Sequence, residues 1–502
     1  MKPTGPRSYR AARLASAVAL LASAMGSAAL PSPAAAPVRE VQPLTLRPCR
    51  VPDVKEQVRC GTFHALENRA KPDGRRLALN VVVLPARTKT PGLPVFILAG
   101  GPGEAATKDA SWLAASPLRQ EHDIVLVDQR GTNDPHRLDC DIETSDDNVQ
   151  KYLEPIFADL PFWAACARRL SEHADLTQYS TPVAATDVDE VRQALGYDRI
   201  DLMGGSYGSR HAMVYIKLFG EHVHAAFLSG LVPLEIKTPL HHPASAQRAL
   251  DLMAADCAAD TACAAAYPDI PGDLKLVLDR LATAPADVTV KNPKTGRMVK
   301  VKLTRDAFAD GLRGMLYSAA EARKIPSVLK RARAGDFKDI AQRSVDFGFA
   351  SRKGFNVPMG LSANCNEDTE RVTDEELARE TANTFPGPVL VVQKRAVCRI
   401  WPDGWLPADH FQPYRSNIPV VFLSGHYDPV TPPRWGEVAR THFPNSTHVV
   451  IRTGHSLGDE TCPDRMALQL FRTGDPRAVD TSCTASYRLP RFEAVDAKGE
   501  RG

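Results

Sequence analysis

The sequence predicts an α/β fold in which a mostly parallel sheet is interrupted by a large, mostly helical insertion. Three observations lead to it. Continuous apolar runs at 94–99, 123–128 and 199–203 read as strands buried on both faces, the pattern of a parallel sheet. An amphipathic stretch at 186–195 lies between two of them and supplies the crossover helix that parallel strands need. The strand rhythm then stops after Val232 and resumes at 418–423, so the helix-rich stretch between is an insertion into one core.

Taken in order, Lys2, Arg7, Arg10 and Arg13 precede the apolar run 14–25, and small residues follow at 28–29 and 34–36. This is the layout of a secretory signal, so residues 1–36 are expected to be cleaved and the protein exported, to a periplasm or beyond the cell. The run is short for a membrane span and no later segment approaches one, so no stable membrane insertion is expected after cleavage.

The first part of the core covers 40–233. Residues 47–61 form a cysteine-bounded loop, and 76–84 a strand with one apolar face. The strand at 94–99 ends in Gly100-Gly-Pro-Gly103, and the next in Gln129-Arg-Gly131. In 186–195, Val188, Val191 and Leu195 share a helical face, acidic residues occupy the first turns and Gly196 stops the helix. A strand at 199–203, a helix at 210–219 and a strand at 224–228 follow. The insertion, 234–409, has helical stretches at 244–257, 274–282, 305–317 and 336–347, with strand signals at 287–290 and 298–303. The core closes over 410–486 with a strand at 418–423, a helix at 434–443 and a strand at 447–451, and 487–502 reads as a frayed tail.

Lys and Arg exceed Asp and Glu by only 62 to 59, so charge argues for neither a nucleic acid nor an anionic membrane as partner. Ten cysteines in an exported chain point to disulfides. Pairing neighbours in order gives Cys49 with Cys60, Cys140 with Cys166, Cys257 with Cys263, Cys365 with Cys398, and Cys462 with Cys483, although spacing alone does not fix connectivity. No paired C-x-x-C occurs, so no metal is expected.

The chemistry centres on Gly204-Gly-Ser-Tyr-Gly208, a G-x-S-x-G element with a strand before it and a helix after it. A serine at such a turn has strained backbone and an outward hydroxyl, and becomes a nucleophile when a base takes its proton. In this architecture the acid and then the histidine follow the serine along the chain. Asp428, in the rigid Asp428-Pro-Val-Thr-Pro-Pro433 loop, and His455, in a glycine-containing loop after the last strand, fit those roles, with His426 a competing histidine. The oxyanion needs preset N–H donors, expected from Tyr207 and from Gly101 in the loop after the 94–99 strand.

Gly-Gly-Pro-Gly at 100–103, Asp-Gln-Arg-Gly at 128–131, Gly-Gly-Ser-Tyr-Gly at 204–208, Asp-Pro-Val-Thr-Pro-Pro at 428–433 and Gly-His-Ser at 454–456 together resemble the proline iminopeptidase and tripeptidyl aminopeptidase family of α/β-hydrolases. The resemblance is closest to exported members with a tripeptidyl-aminopeptidase-like C-terminal segment, and covers about 45–485. It implies an α/β-hydrolase fold, a triad of Ser206, Asp428 and His455, a helical cap, and removal of residues from free peptide N-termini without a cofactor. Ala99, Thr132-Asn-Asp-Pro135 and Ser229 depart from the family pattern, which bears on the exact substrate rather than on the triad. An aminopeptidase must hold an ammonium group, for which carboxylates are suited. Asn364-Cys-Asn-Glu-Asp368 resembles a cysteine-Glu-Asp element of the larger members, so Glu367 and then Asp368 are the expected amine-binding residues. The alternatives are an esterase or lipase with the same triad, or a catalytically silent binding protein.

Overall fold

The computed structural model describes residues 41–142, 148–458 and 460–493. The expected signal segment, 1–36, lies outside them, as do 494–502 of the expected tail. The strands are β1 (Arg47–Cys49), β2 (Val58–Leu66), β3 (Arg76–Leu84), β4 (Val95–Leu98), β5 (Ile124–Val127), β6 (Ile200–Gly205), β7 (Val223–Ser229), β8 (Ala286–Lys291), β9 (Met298–Leu303), β10 (Val420–Gly425) and β11 (Ser446–Ile451). Nine of them form one sheet in the order β1-β2-β3-β5-β4-β6-β7-β10-β11, while β8 and β9 make a separate hairpin in the insertion. From β5 through β4, β6, β7 and β10 to β11 every pairing is parallel, and the β1, β2 and β3 side is antiparallel. All residues of β4, β5 and β10 are buried, which is why their sequences are unbroken apolar runs rather than alternating ones.

Local differences from expectation have physical reasons. The 47–61 loop contains β1 and the start of β2, whose arginine and glycine conceal its alternation, and the Cys49–Cys60 bridge closes that edge. The helix expected at 186–195 begins earlier, as Thr181–Ala194, with Pro182 in a first turn that has no hydrogen bond for proline to lose. A helix not expected, Thr461–Thr473, lays Met466, Leu470 and Phe471 on Val421 and Leu423 of β10. The start of the tail is held rather than frayed: Tyr267 Oη donates to the Glu493 carbonyl at 2.8 Å, and the Arg323 guanidinium lies 4.0 Å from the Phe492 ring centroid.

The insertion has its own core, in which Leu312, Met315 and Leu316 of helix Arg305–Leu316 meet Ile340 and Val345 of helix Lys338–Gly354. All ten cysteines pair with their neighbours in order, with Cα separations of 5.1–5.8 Å. Cys365–Cys398 joins helix Val357–Glu367 to helix Val389–Cys398 and closes a 33-residue separation, whereas Cys257–Cys263 closes 6. Loop-closure entropy then makes removal of the Cys365–Cys398 pair cost about 3–4 kcal/mol, against about 2 kcal/mol for Cys257–Cys263. Denaturant titration of the two double-alanine variants checks this order, and equal losses would contradict it.

Candidate active site

The C-terminal ends of the parallel strands, where open α/β sheets generally bind their ligands, bring the candidate residues together. The loop after β4 brings Gly100 and Gly101, the turn after β6 Ser206, the loop after β10 Asp428, and the loop after β11 His455. Gly101, Ser206 and His455 line one cleft of about 740 Å³.

Ser206 has φ 54° and ψ −127°, a conformation that costs a side-chain-bearing residue about 1–3 kcal/mol and is kept only where the surroundings enforce it. Ser206 N–H donates to the Ser229 carbonyl at 3.0 Å, and Ser209 Oγ donates to the Ser206 carbonyl at 2.7 Å. The glycines permit this close approach. A Cβ on Gly204 would lie 2.5 Å from Gly208 O, and one on Gly208 would lie 2.0 Å from Leu98 O, both inside contact distance. The turn therefore closes only as Gly-x-Ser-x-Gly.

Asp428 is buried and fully engaged. Its Oδ1 accepts Val430 N–H and Thr431 N–H, both at 2.8 Å, and its Oδ2 accepts Thr431 Oγ1 at 2.7 Å and lies 2.8 Å from His455 Nδ1. Burial alone would raise its pKa. The charge and hydrogen bond of His455, with the two main-chain donors, instead hold it below the usual carboxylate value. For His455, burial opposes the charged ring, but Asp428 and then Glu104 outweigh it, and the ring titrates above the ordinary 6.5. A Cβ at Gly230 would fall 3.3 Å from His455 Cε1 and 3.4 Å from Ser206 N, so this glycine lies between the two loops. The Tyr317 ring packs edge-on against His455, with centroids 5.4 Å apart. His426 is not among the residues lining the cleft.

Tyr207 opens helix Tyr207–Phe219, so its N–H has no acceptor within the helix, and Gly101 faces the same cleft from a backbone φ of 106°. The Tyr207 side chain points into a buried relay. Gln129 Nε2 donates to Tyr207 Oη at 3.0 Å, and Thr181 Oγ1 lies 2.8 Å from that oxygen. Because Thr181 gives its one hydroxyl proton to Glu367 Oε2, at 2.8 Å, the Tyr207 hydroxyl donates to Thr181.

That relay corrects the expectation for Glu367 and Asp368, which do not line the cleft. Glu367 is buried and also accepts Thr181 N–H at 2.7 Å, while Asp368 is buried and pairs with Arg210 Nη1 at 2.6 Å. Two carboxylates already enclosed and paired offer no open face to a substrate ammonium; Glu367 ties the insertion to helix Thr181–Ala194, and Asp368 ties it to helix Tyr207–Phe219. Burial pushes the Glu367 carboxyl up to about 7. Its stabilisation is then complete below about 4.5 and lost as pH rises toward 7, so Glu367→Gln should gain stability relative to the parent over that window. Glu367→Ala strands the Thr181 donors and should cost about 1–3 kcal/mol. Both variants should lower activity on charged and blocked substrates equally, and a loss confined to free-amine substrates would restore the amine-binding role.

Asp-Gln-Arg-Gly also has a structural role. Asp128 accepts Thr107 N–H at 2.9 Å, and Arg130 is fully buried and makes two 2.6 Å bonds to Asp187. Thr431, which lies 3.2 Å from His455 Nδ1, and Glu104, on the wall of the cleft, were missed in the sequence because only the folded loops bring them to the site. Among the described residues no group of three or more His, Cys, Asp or Glu could hold a metal ion, and no helix is long and apolar enough to cross a membrane.

With this geometry in place, comparison with known proteins agrees with the fold. Residues 94–266 match the family described as alpha/beta hydrolase fold, and residues 387–483 match the family described as TAP-like protein. The chain is an α/β-hydrolase of the serine hydrolase type. Within that class, its C-terminal part is similar to the TAP-like segment. It is 26% identical to the serine protease Hip1 of Mycobacterium tuberculosis over 471 residues, covering 84% of this chain and 88% of that one. It is 25% identical to carboxylesterase B of the same organism over 467 residues, covering 85% and 86%. A tripeptidyl aminopeptidase of Streptomyces coelicolor is 25% identical over 206 residues, 36% of each chain.

Proposed function

We propose that the protein is an exported serine aminopeptidase that releases residues from free peptide N-termini. Ser206 Oγ attacks the scissile carbonyl carbon while His455 Nε2 takes its proton. The oxyanion of the tetrahedral adduct is met by the N–H groups of Gly101 and Tyr207. The C–N bond then breaks, His455 passes the proton to the leaving amine, and water cleaves the acyl-enzyme by the same route in reverse. Asp428 keeps the proton of His455 on Nδ1 and stabilises the imidazolium. The observation that carries the reading is the 2.8 Å His455–Asp428 bond at the rim of a cleft that also contains a serine at φ 54°. Peptide substrates and the N-terminal mode of attack draw support from the peptidase relatives. Five disulfides suit an oxidising compartment.

A second reading, an esterase with the same triad, is favoured by the likeness to carboxylesterase B, since acyl-enzyme chemistry serves esters and amides alike. Aminoacyl and tripeptidyl chromogenic anilides assayed beside short acyl esters separate the two. The aminopeptidase reading expects strong turnover of at least one anilide series, and strong ester hydrolysis with none of the anilides would favour the esterase.

A further inference from the structure

We propose that Glu104 receives the N-terminal ammonium of the substrate, and that Ser206 therefore removes one residue at a time. The inference rests on the aminopeptidase reading and locates the amine subsite that Glu367 and Asp368 do not provide. The loop after β4 reverses at Gly101 and Gly103, with φ of 106° and 103°, and so folds Glu104 back over Gly100 into the cleft. A Cβ at Gly100 would lie 2.9 Å from Glu104 Oε2 and 3.6 Å from the main-chain oxygen of Gly205, the residue before the nucleophile. The glycine leaves this space open, and the carboxylate rests in it.

Glu104 is half-buried, and among the described residues no ion pair joins it. Its counterparts near the site are engaged: Asp428 by His455 and three donors of its own loop, Asp368 by Arg210, and Glu367 by Thr181. Asp109, the half-buried neighbour of Glu104, adds a like charge, and the cations that act on Glu104 are Lys108 and His455, neither within ion-pair distance. A carboxylate placed this way favours a cation, and an ammonium entering the cleft needs an anionic partner to offset the water it loses. Distance favours the first residue. Its ammonium nitrogen is two bonds, about 2.5 Å, from its own carbonyl carbon, whereas that of a tripeptide is about two residues further, at roughly 3.3 Å each. A carboxylate folded over Gly100, which itself packs near the Gly205 oxygen, suits the former.

The test compares kcat/KM for an aminoacyl p-nitroanilide with that for its N-acetyl analogue in the parent enzyme, Glu104→Gln and Glu104→Asp, with phosphonate labelling of Ser206 checking that each active site is intact. The parent should favour the free amine. Glu104→Gln should reduce that preference at least tenfold, mainly through KM, and Glu104→Asp should restore part of it. A preference unchanged in both variants overturns the assignment of Glu104 while leaving the aminopeptidase reading intact. If Glu104→Gln does not label, Glu104→Asp decides alone: a reduced preference is expected, and a parent-like one overturns the assignment. A parent that favours tripeptidyl over aminoacyl anilides overturns single-residue release, and a parent indifferent to acetylation overturns both this inference and the reading beneath it.

Discussion

Ser206→Ala is expected to abolish turnover, with a loss of about 10⁶ in kcat, the scale seen when the nucleophile of such a triad is removed. The reason is local. The hydroxyl sits on a backbone held at φ 54° by its hydrogen bond to Ser229 and by the glycines on either side. Ser209, three residues on, uses its hydroxyl to bond the Ser206 and Val232 main chain. Alanine keeps those main-chain bonds, so the variant should unfold at the parent's midpoint. A serine-directed phosphonate should label the parent at Ser206 and fail to label the variant. A variant retaining most of its activity would remove Ser206 from the mechanism.

Asp428→Asn should cost about 10⁴ in kcat, because an amide can donate to His455 Nδ1 and so fix the ring in the tautomer that cannot accept the serine proton. The pH profile gives a second readout. His455 acts as a base only when neutral, and Asp428 holds its titration above 6.5, so the acid limb of kcat/KM should lie above that value in the parent. Without the carboxylate, burial is left as the dominant influence and the residual activity should show an acid limb moved downward. An unmoved limb would mean that another group sets it. Thr431 is the residue to watch here, since its hydroxyl donates to Asp428 Oδ2 and also lies 3.2 Å from His455 Nδ1.

What was legible in the sequence was what local rules encode. The serine turn is written in glycines whose Cβ atoms would collide, and Asp428 and His455 each follow an apolar strand, so three distant segments could be assigned to one site before the fold was known. The neighbouring pairs of cysteines also coincide with the bridges observed. What was not legible depends on partners far along the chain. Glu367 reads as an amine-binding acid of the cap until Thr181, 186 positions away, encloses its carboxylate. Glu104 is one more residue of a glycine loop until two positive-φ turns fold it over Gly100. Helix Thr461–Thr473 was obscured by Cys462 and Pro463 in its first turn, the one place where proline is harmless.

The central claim, that a serine in this cleft cleaves amide bonds from a free N-terminus, is tested most directly by time-resolved mass spectrometry of one unlabelled peptide and its N-acetylated copy, each incubated with the parent enzyme. The account predicts stepwise loss of residues from the N-terminus of the free peptide, an intact acetylated copy, and no loss from either with Ser206→Ala. Internal or C-terminal cleavage, or equal digestion of the two peptides, would contradict it.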